Sequence, residues 1–278
     1  MRFATLGSGS AGNALLVESG DARILIDAGF SGRQLGLRAA SLGVTLDQLD
    51  AVLVSHEHSD HVRGLKRLRA LHPRVPVWLT RGTQDDDTVA EALTAGAADA
   101  VHTLISGRSI ELADGRLQIE IFGVPHDARE PVGFVVTDAA GRRLGVVTDL
   151  GHRSRLAWAR LRDVDALVLE TNHDVHMLRT GPYPWHLKQR VAGRHGHLSN
   201  ADAADGLEEL AGDRLQAVMC YHLSRTNNCP ARAVEALAER LDRCGSSARV
   251  VATAQDVPSD WIDVAPPGQV PGAQLALF

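Results

Sequence analysis

A chain of 278 residues, 44% apolar and 23% charged, has ordinary globular composition, with length for one large domain or two small ones around a substantial core. Its net charge of −5 excludes a surface coated in positive charge that grips nucleic acid indiscriminately, though not a local basic groove. Three cysteines, Cys220, Cys229 and Cys244, odd in number and without CxxC spacing, fit reduced thiols in a cytoplasmic protein, and neither an apolar leader nor a membrane-length apolar run is present.

Residues 3–6 read as a short strand, followed by Gly7-Ser8-Gly9-Ser10-Ala11-Gly12, a formal GxGxxG match. A dinucleotide fold needs a helix next. Residues 14–18 and 22–27 around a turn read instead as a hairpin, so that reading fails its context test. The glycines more plausibly let backbone approach a metal site or a substrate phosphate. Residues 31–42 read as a helix stopped by Gly43. Ala51-Val52-Leu53-Val54 reads as a buried strand ending at Ser55-His56-Glu57-His58-Ser59-Asp60-His61.

Side chains alternate along an extended chain, so His56 and His58 project the same way and can bind one ion. Asp60 and His61 sit at the turn into a helix marked by Val62, Leu65, Leu68 and Leu71, free to reach a second. Three imidazoles and a carboxylate in so short a span suit zinc, or manganese and iron where oxygen ligands dominate. The helix carries Arg63, Lys66, Arg67 and Arg69 off its apolar stripe, a face expected to be solvated or to steer phosphate.

Further along, residues 75–79 and 117–122 read as strands and residues 87–95 as a helix. His126 follows the second of these strands. Asp149 ends the apolar strand that begins at Leu144, and Glu170 ends another that begins at Asp165. Residues 177–194 interleave Arg179, Lys188, Arg190 and Arg194 with Tyr183 and Trp185. In a chain with only 4% aromatics this mixture suggests cations for phosphates and rings for splayed bases, the alternative being an ordinary loop anchored by two aromatics. Ser199 or Asn200 caps a helix through Leu210, with Asp202 as a capping-box partner. Residues 216–221 form a last buried strand ending in His222, Pro230 opens a helix over 231–244, and residues 249–253 make a terminal strand. From Asp256 the chain turns rich in proline and glycine, which reads as an extended tether. The expected division is a domain over 1–255 and a tail over 256–278. The candidate residues lie at strand C-terminal ends or in the turns beyond, where a sheet can gather them into one site.

His56-x-His58-x-Asp60-His61 after an apolar strand resembles the signature of the metallo-β-lactamase superfamily, and the resemblance spans roughly residues 1–255. It implies an α/β fold, the four-layer αββα sandwich. It implies two divalent ions, Zn²⁺ or Mn²⁺. One is taken by His56, His58 and His126, the other by Asp60, His61 and His222, with Asp149 bridging and Asp27 orienting the metal-binding loop through hydrogen bonds. Residues 7–13, which end in Asn13, residues 182–190 with 196–200, and residues 222–228 look like the YycJ (WalJ) group of nucleases, described as acting on DNA in the 5′ to 3′ direction. Gly196-His197-Leu198-Ser199 also resembles the region of the ribonuclease Z family that holds its catalytic His, there paired with a Glu in His-Glu-Ala-Thr. Glu170 occupies the corresponding strand end but stands in Leu169-Glu170-Thr171-Asn172, without the preceding His. About seventy residues separate Asp149 from His222, too few for the inserted domain of the β-CASP nucleases.

The resemblance thus implies catalytic roles for Asp60, Glu170 and His197, the last as proton donor or phosphate clamp. Asn13, Arg179, Tyr183, Trp185, Lys188, Arg190 and Arg194 are the candidate substrate contacts. A DNA exonuclease of replication or repair is the leading expectation. An RNA-processing nuclease, a cyclic phosphodiesterase or glyoxalase II-type thioesterase, and a metal-stabilised binding module are the alternatives. Gln274-Leu275-Ala276-Leu277-Phe278 resembles the Gln-Leu-(Ser/Asp)-Leu-Phe peptide with which bacterial polymerases and repair proteins bind the sliding clamp. A partner contact through Gln274, Leu275, Leu277 and Phe278 is therefore expected, the bland reading being an apolar tail folded onto its own core.

Overall fold

A computed structural model describes residues 1–267; Gln274, Leu275, Leu277 and Phe278 lie outside the described residues. The strands are β1 (Arg2–Gly7), β2 (Ala14–Ser19), β3 (Ala22–Ile26), β4 (Ala51–Leu53), β5 (Val77–Thr80), β6 (Val101–Leu104), β7 (Ser109–Leu112), β8 (Leu117–Gly123), β9 (Val132–Asp138), β10 (Arg143–Val147), β11 (Ala166–Glu170), β12 (Ala217–Tyr221), β13 (Arg249–Ala252) and β14 (Ile262–Asp263). The helices are α1 (Gly32–Ser41), α2 (Ser59–Val62), α3 (Leu65–Leu71), α4 (Arg81–Gln84), α5 (Asp87–Leu93), α6 (Arg155–Leu161), α7 (Val175–Thr180), α8 (Trp185–Val191), α9 (Asn200–Leu207) and α10 (Pro230–Arg243).

Among the described residues the strands build two seven-stranded sheets, ordered β14-β1-β2-β3-β4-β5-β6 and β13-β12-β11-β10-β9-β8-β7. Each begins as an antiparallel meander and becomes parallel, from β3 to β6 in one and from β10 to β13 in the other. The strands are apolar on both faces because both faces are covered. Phe3, Leu15, Ile24 and Leu53 of the first sheet meet Ile119, Phe134, Val168 and Met219 of the second. Leu35, Leu65, Leu68 and Val89 of the helices pack on the outer face of the first sheet, and Trp158, Leu207 and Leu237 on that of the second. The layers are therefore αββα, as expected, and each fully buried Leu or Ile in them contributes about 1.5–3 kcal/mol. No helix of the described residues is long and apolar enough to cross a membrane.

Four expectations need correction. The helix after the His motif starts earlier and is broken in two: α2 opens at Ser59, so Asp60 and His61 ride on its first turn. Gly64 separates it from α3 because its N–H donates to Ala28 O at 2.7 Å, and a Cβ there meets Phe30 O at 2.1 Å. The basic face of that helix is solvated at Arg63, Lys66 and Arg67, but Arg69 does not belong to it. Arg69 is fully buried, with its guanidinium on the carbonyls of Leu93 and Ala97, and Lys66 pairs with Glu91. Residues 177–194 contain the two short helices α7 and α8 rather than a loop. The domain boundary at 255 falls too early: Ile262 pairs with Phe3, and Ile262 and Val264 are buried, so chain read as tether completes the edge of the first sheet. The burial of two apolar side chains outweighs the proline and glycine content that suggested an extended segment.

Candidate metal centre

The parallel strands β3, β4, β10, β11 and β12 deliver their C-terminal ends to one rim, and the candidate residues stand there. Asp27, Asp149 and His222 follow β3, β10 and β12 in left-handed backbone, with φ of 64°, 54° and 57°. Such conformations cost non-glycine residues energy and concentrate where function fixes a side chain's aim. Gly29 makes the rim compact. A Cβ on it meets Asp60 O at 1.7 Å, whereas its absence lets Asn13 N–H donate to Asp60 O and Gly29 N–H to Asn13 O.

Four overlapping donor groups lie close enough to hold an ion, two of them being His56–His61–Asp149 and Asp149–Glu170–His197–His222 and the other two those expected from the resemblance. His56, His58 and His126 can converge on one ion, and Asp60, His61 and His222 on another. Asp149 lies between them: one carboxylate oxygen is 3.1 Å from His61 Nε2, and the other is 3.6 Å from both His126 Nε2 and His222 Nε2. His56 Nε2 is buried without a hydrogen-bond partner, an arrangement that a ligated cation resolves. The donors are imidazole and carboxylate with no thiolate, a set that fits divalent metal ions.

The surrounding groups fix the tautomers. Asp27 accepts from Ser55 N at 2.8 Å and Ser55 Oγ at 2.9 Å, and its second oxygen is 2.7 Å from His61 Nδ1. That bond turns His61 Nε2 toward Asp60 and Asp149. Gly196 O accepts from His126 Nδ1 at 3.0 Å, leaving Nε2 to face His58. Ser8 Oγ accepts from His222 N and donates to Asn13 Oδ1, while Asn13 Nδ2 lies 3.2 Å from Asp60 Oδ2. The glycine-rich loop is thus a brace for two candidate ligands, with Asn13 beneath the site.

Electrostatics follow the same layout. Burial and the neighbouring His61 hold His56 well below its ordinary pKa. For His61 burial acts downward, but Asp149, Asp27 and Asp60 outweigh it and raise the pKa. For His222 burial again opposes, and Asp149 with bonds to Asp60 and Glu170 pushes the value up to about 10. Asp149 and Asp60, which burial acting alone would raise, are held low by His222 and His61 and by His61 and His222 respectively. A buried anionic cluster needs positive charge, and protons or metal ions can supply it.

Beside the donors, Glu170 and His197 form a pair. His197 Nδ1 is 2.7 Å from Glu170 Oε1, although the His that precedes this Glu in ribonuclease Z proteins is missing. The other Glu170 oxygen accepts from Leu150 N and Leu198 N at 2.6 and 3.1 Å. Burial acts to raise Glu170, but His197 foremost, and then a bond to His222, bring it down to about 2.

The basic and aromatic segment divides. Arg179, Trp185 and Lys188 line a cavity of about 520 Å³ together with His197. Arg190 turns away and donates to Asp127 Oδ2 at 2.7 Å, beside His126. Tyr183, half-buried between α7 and α8, and the exposed Arg194 do not line the cavity. Sequence reading missed Ser8, Ser55 and Asn172 as supports, the last with its amide 3.1 Å from His222 Nδ1. It also missed His173 in the cavity. Only their adjacency to motif residues marked them, and adjacency alone does not separate them from other polar loop residues.

Comparison with known proteins identifies the family of the chain. Residues 22–219 match the family model described as a Beta-lactamase superfamily domain. The chain is 33% identical over 245 residues to exodeoxyribonuclease YycJ of Bacillus anthracis, covering 88% of this chain and 90% of that protein. It is 33% identical over 229 residues to exodeoxyribonuclease WalJ of Streptococcus pneumoniae, covering 82% and 83%. Human tRNase Z, short form, superposes with a TM-score of 0.67 at 17% identity over 95% of this chain and 100% of that one, a likeness of fold. The chain belongs to the metallo-β-lactamase superfamily, in its YycJ/WalJ group, and is a metal-dependent hydrolase of that fold.

Proposed function

We propose that the protein is a two-metal phosphodiesterase that degrades DNA from the 5′ end, with Zn²⁺ or Mn²⁺ held by His56, His58 and His126 and by Asp60, His61 and His222, and with Asp149 shared. The carrying observation is the position of Asp149 between two donor groups with the His197–Glu170 pair alongside. The names of the relatives at 33% identity support a DNA substrate. When bound, the two ions supply a nucleophilic water and neutralise charge gathering on the phosphoryl group.

The chain's own residues do the rest. Glu170 holds His197 by Nδ1, which leaves Nε2 to give a proton to the departing oxygen. Arg179 and Lys188 attract phosphates while Trp185 offers a face for a base. A small thioester does not need that lining, which favours the nuclease over a glyoxalase II-type reading. Incubating protein loaded with Mn²⁺ or Zn²⁺ with end-labelled single- and double-stranded DNA and RNA tests the proposal. Shortening of DNA from its 5′ end is the expected result, and no nucleolysis with either metal is the refuting one.

Residues 274–278 extend the proposal to a partner. Leu275, Leu277 and Phe278 would fill an apolar pocket of a sliding clamp and Gln274 would supply hydrogen bonds, a few anchors carrying most of the binding energy. Tethering would raise the local concentration of a net-acidic nuclease at DNA ends and place it in replication or repair. Deleting those five residues should abolish clamp capture in a pull-down, and equal capture by the truncated and full-length proteins would sink the idea.

A further inference from the structure

The glycine-rich loop between β1 and β2 touches every donor of the Asp60–His61–His222 group. Asn13 Nδ2 lies 3.2 Å from both Asp60 Oδ2 and His61 Nε2, and Ser8 Oγ accepts from His222 N at 2.8 Å. Ser8 Oγ and Gly9 N both donate to Asn13 Oδ1, at 2.8 and 3.0 Å, so the two contact residues move as one unit. Among the described residues no hydrogen bond of this loop reaches His56, His58 or His126, whose side chains bond to Ser55, to each other and to Gly196 instead.

Such a loop does not hold itself. Its glycines are the residues that lose most conformational freedom on ordering, and its tip, Ser10 and Ala11, is exposed. What fixes it is Gln255, which follows β13 and is 7% exposed. Gln255 Oε1 accepts from Ala11 N at 2.7 Å, and Gln255 Nε2 donates to Gly12 O at 2.7 Å. Its neighbour Ala254 adds a third bond, accepting from Ser8 N at 3.0 Å. The fit is close: Gly9 stands at φ 146°, and a Cβ on it would lie 2.7 Å from Gln255 Oε1. Gln255 is anchored in turn, its carbonyl accepting from Arg38 Nη1 at 2.9 Å while the same nitrogen donates to Leu6 O at 2.8 Å. An unbroken line of hydrogen bonds therefore runs from Gln255 through the loop to Asp60, His61 and His222.

We propose that Gln255 is a positioning residue for the ion of the Asp60–His61–His222 group. By pinning Ala11 and Gly12 it fixes Ser8 and Asn13, and through them the aim of all three donors. The proposal rests on the two-ion reading above and deepens it. Without the pin, the Asn13 amide and the Ser8 hydroxyl turn to water, and Asp60 and His222 no longer converge as tightly. Asp27 still holds His61 at 2.7 Å, so the ion is weakened and not lost. The ion of the three-imidazole group is untouched, because its outer bonds do not involve the loop.

Titration of the metal-stripped full-length protein with Zn²⁺ against a chromophoric chelator counts the ions and reads both affinities without any substrate. Fewer than two ions in the unmodified protein would remove the foundation. Gln255→Met keeps the length of the side chain and removes both of its bonds. It should weaken one ion about tenfold, the lower end of the scale for groups that hold metal ligands, and leave the other unchanged. The same loss should persist in a His58→Ala background and vanish in a His222→Ala background, which assigns it to the Asp60–His61–His222 ion. Gln255→Glu, which still accepts from Ala11 N, should recover part of the affinity. Val89→Ala, a loss of packing at a fully buried position of α5, should weaken neither ion. Unchanged affinity for both ions in Gln255→Met, equal weakening of both, or the same selective loss in Val89→Ala overturns the proposal. Should Gln255→Met not fold, Gln255→Glu measured against the unmodified protein carries the same refuting outcomes.

Discussion

Replacing Asp27 by Asn changes one atom's chemistry and leaves the shape of the rim alone. Asn tolerates the left-handed backbone that Asp27 adopts at φ 64°, so no strain is added. The surviving oxygen can still accept from Ser55 N at 2.8 Å, and the Ser55 hydroxyl, now donating to Asp27, can rotate to accept. His61 has no such freedom. Its Nδ1 lies 2.7 Å from the carboxylate oxygen that becomes an amide N–H, so two donors would meet. Relief requires moving the ring proton to Nε2, the nitrogen 3.1 Å from Asp149 and 3.5 Å from Asp60, where it blocks ligation. Loss of such an outer hydrogen bond costs about 10–100-fold in metal affinity, or about 1.4–2.7 kcal/mol. Asp27→Asn should thus lose the ion of the Asp60–His61–His222 group at a lower chelator concentration than the unmodified protein, while the ion of the His56–His58–His126 group stays. Metal content by elemental analysis across a chelator series reads this directly, with circular dichroism confirming the fold. Wild-type retention of both ions would refute the orienting role of Asp27.

Asp149→Ala should lower metal content and abolish hydrolysis, since it lies between both donor groups, and His58→Ala should empty the three-imidazole group; elemental analysis checks both. His197→Ala should retain both ions yet slow DNA turnover by roughly 10²-fold or more, the usual scale for a positioned acid, in a single-turnover assay. Asp138, at the end of β9 away from the candidate ligands' rim, gives a pH signature. Burial alone would raise its pKa, but bonds from Arg142 and Ser19 outweigh it and hold it below 3.8. A depressed carboxylate contributes stability that is present above its unfolded value and lost as pH falls through the folded one. Urea midpoints should therefore fall less steeply below about pH 4 in Asp138→Asn than in the unmodified protein.

The His motif was legible because its geometry is local. An extended chain aims His56 and His58 together, and the apolar run before them locates a strand end. The layers were legible because strands covered on both faces must be continuously apolar, and α10 shows its helical period in Ala233, Leu237 and Leu241. Resemblance then added His126, Asp149 and His222, which share no spacing with the motif and meet it only through the sheet order.

What the sequence left open were contacts whose partners lie far apart along the chain. The Glu170–His197 pair forms despite the missing His because β11 sets Glu170 by backbone pairing with β10 and β12, and the N–H groups of Leu150 and Leu198 hold it. The sign of a basic side chain is the same on a helix surface and in a core, so Arg69, buried as a cap for α5, and Arg190, bound to Asp127, could not be told from the cavity residues Arg179 and Lys188. The end of the fold was set by β14 closing on β1. Sequence therefore determined which chemistry this chain carries, because donor type and local spacing are written residue by residue. Tertiary structure decided which donors meet, which cations face the cavity and where that cavity lies, because those depend on sheet order and on burial, which distribute across the whole chain.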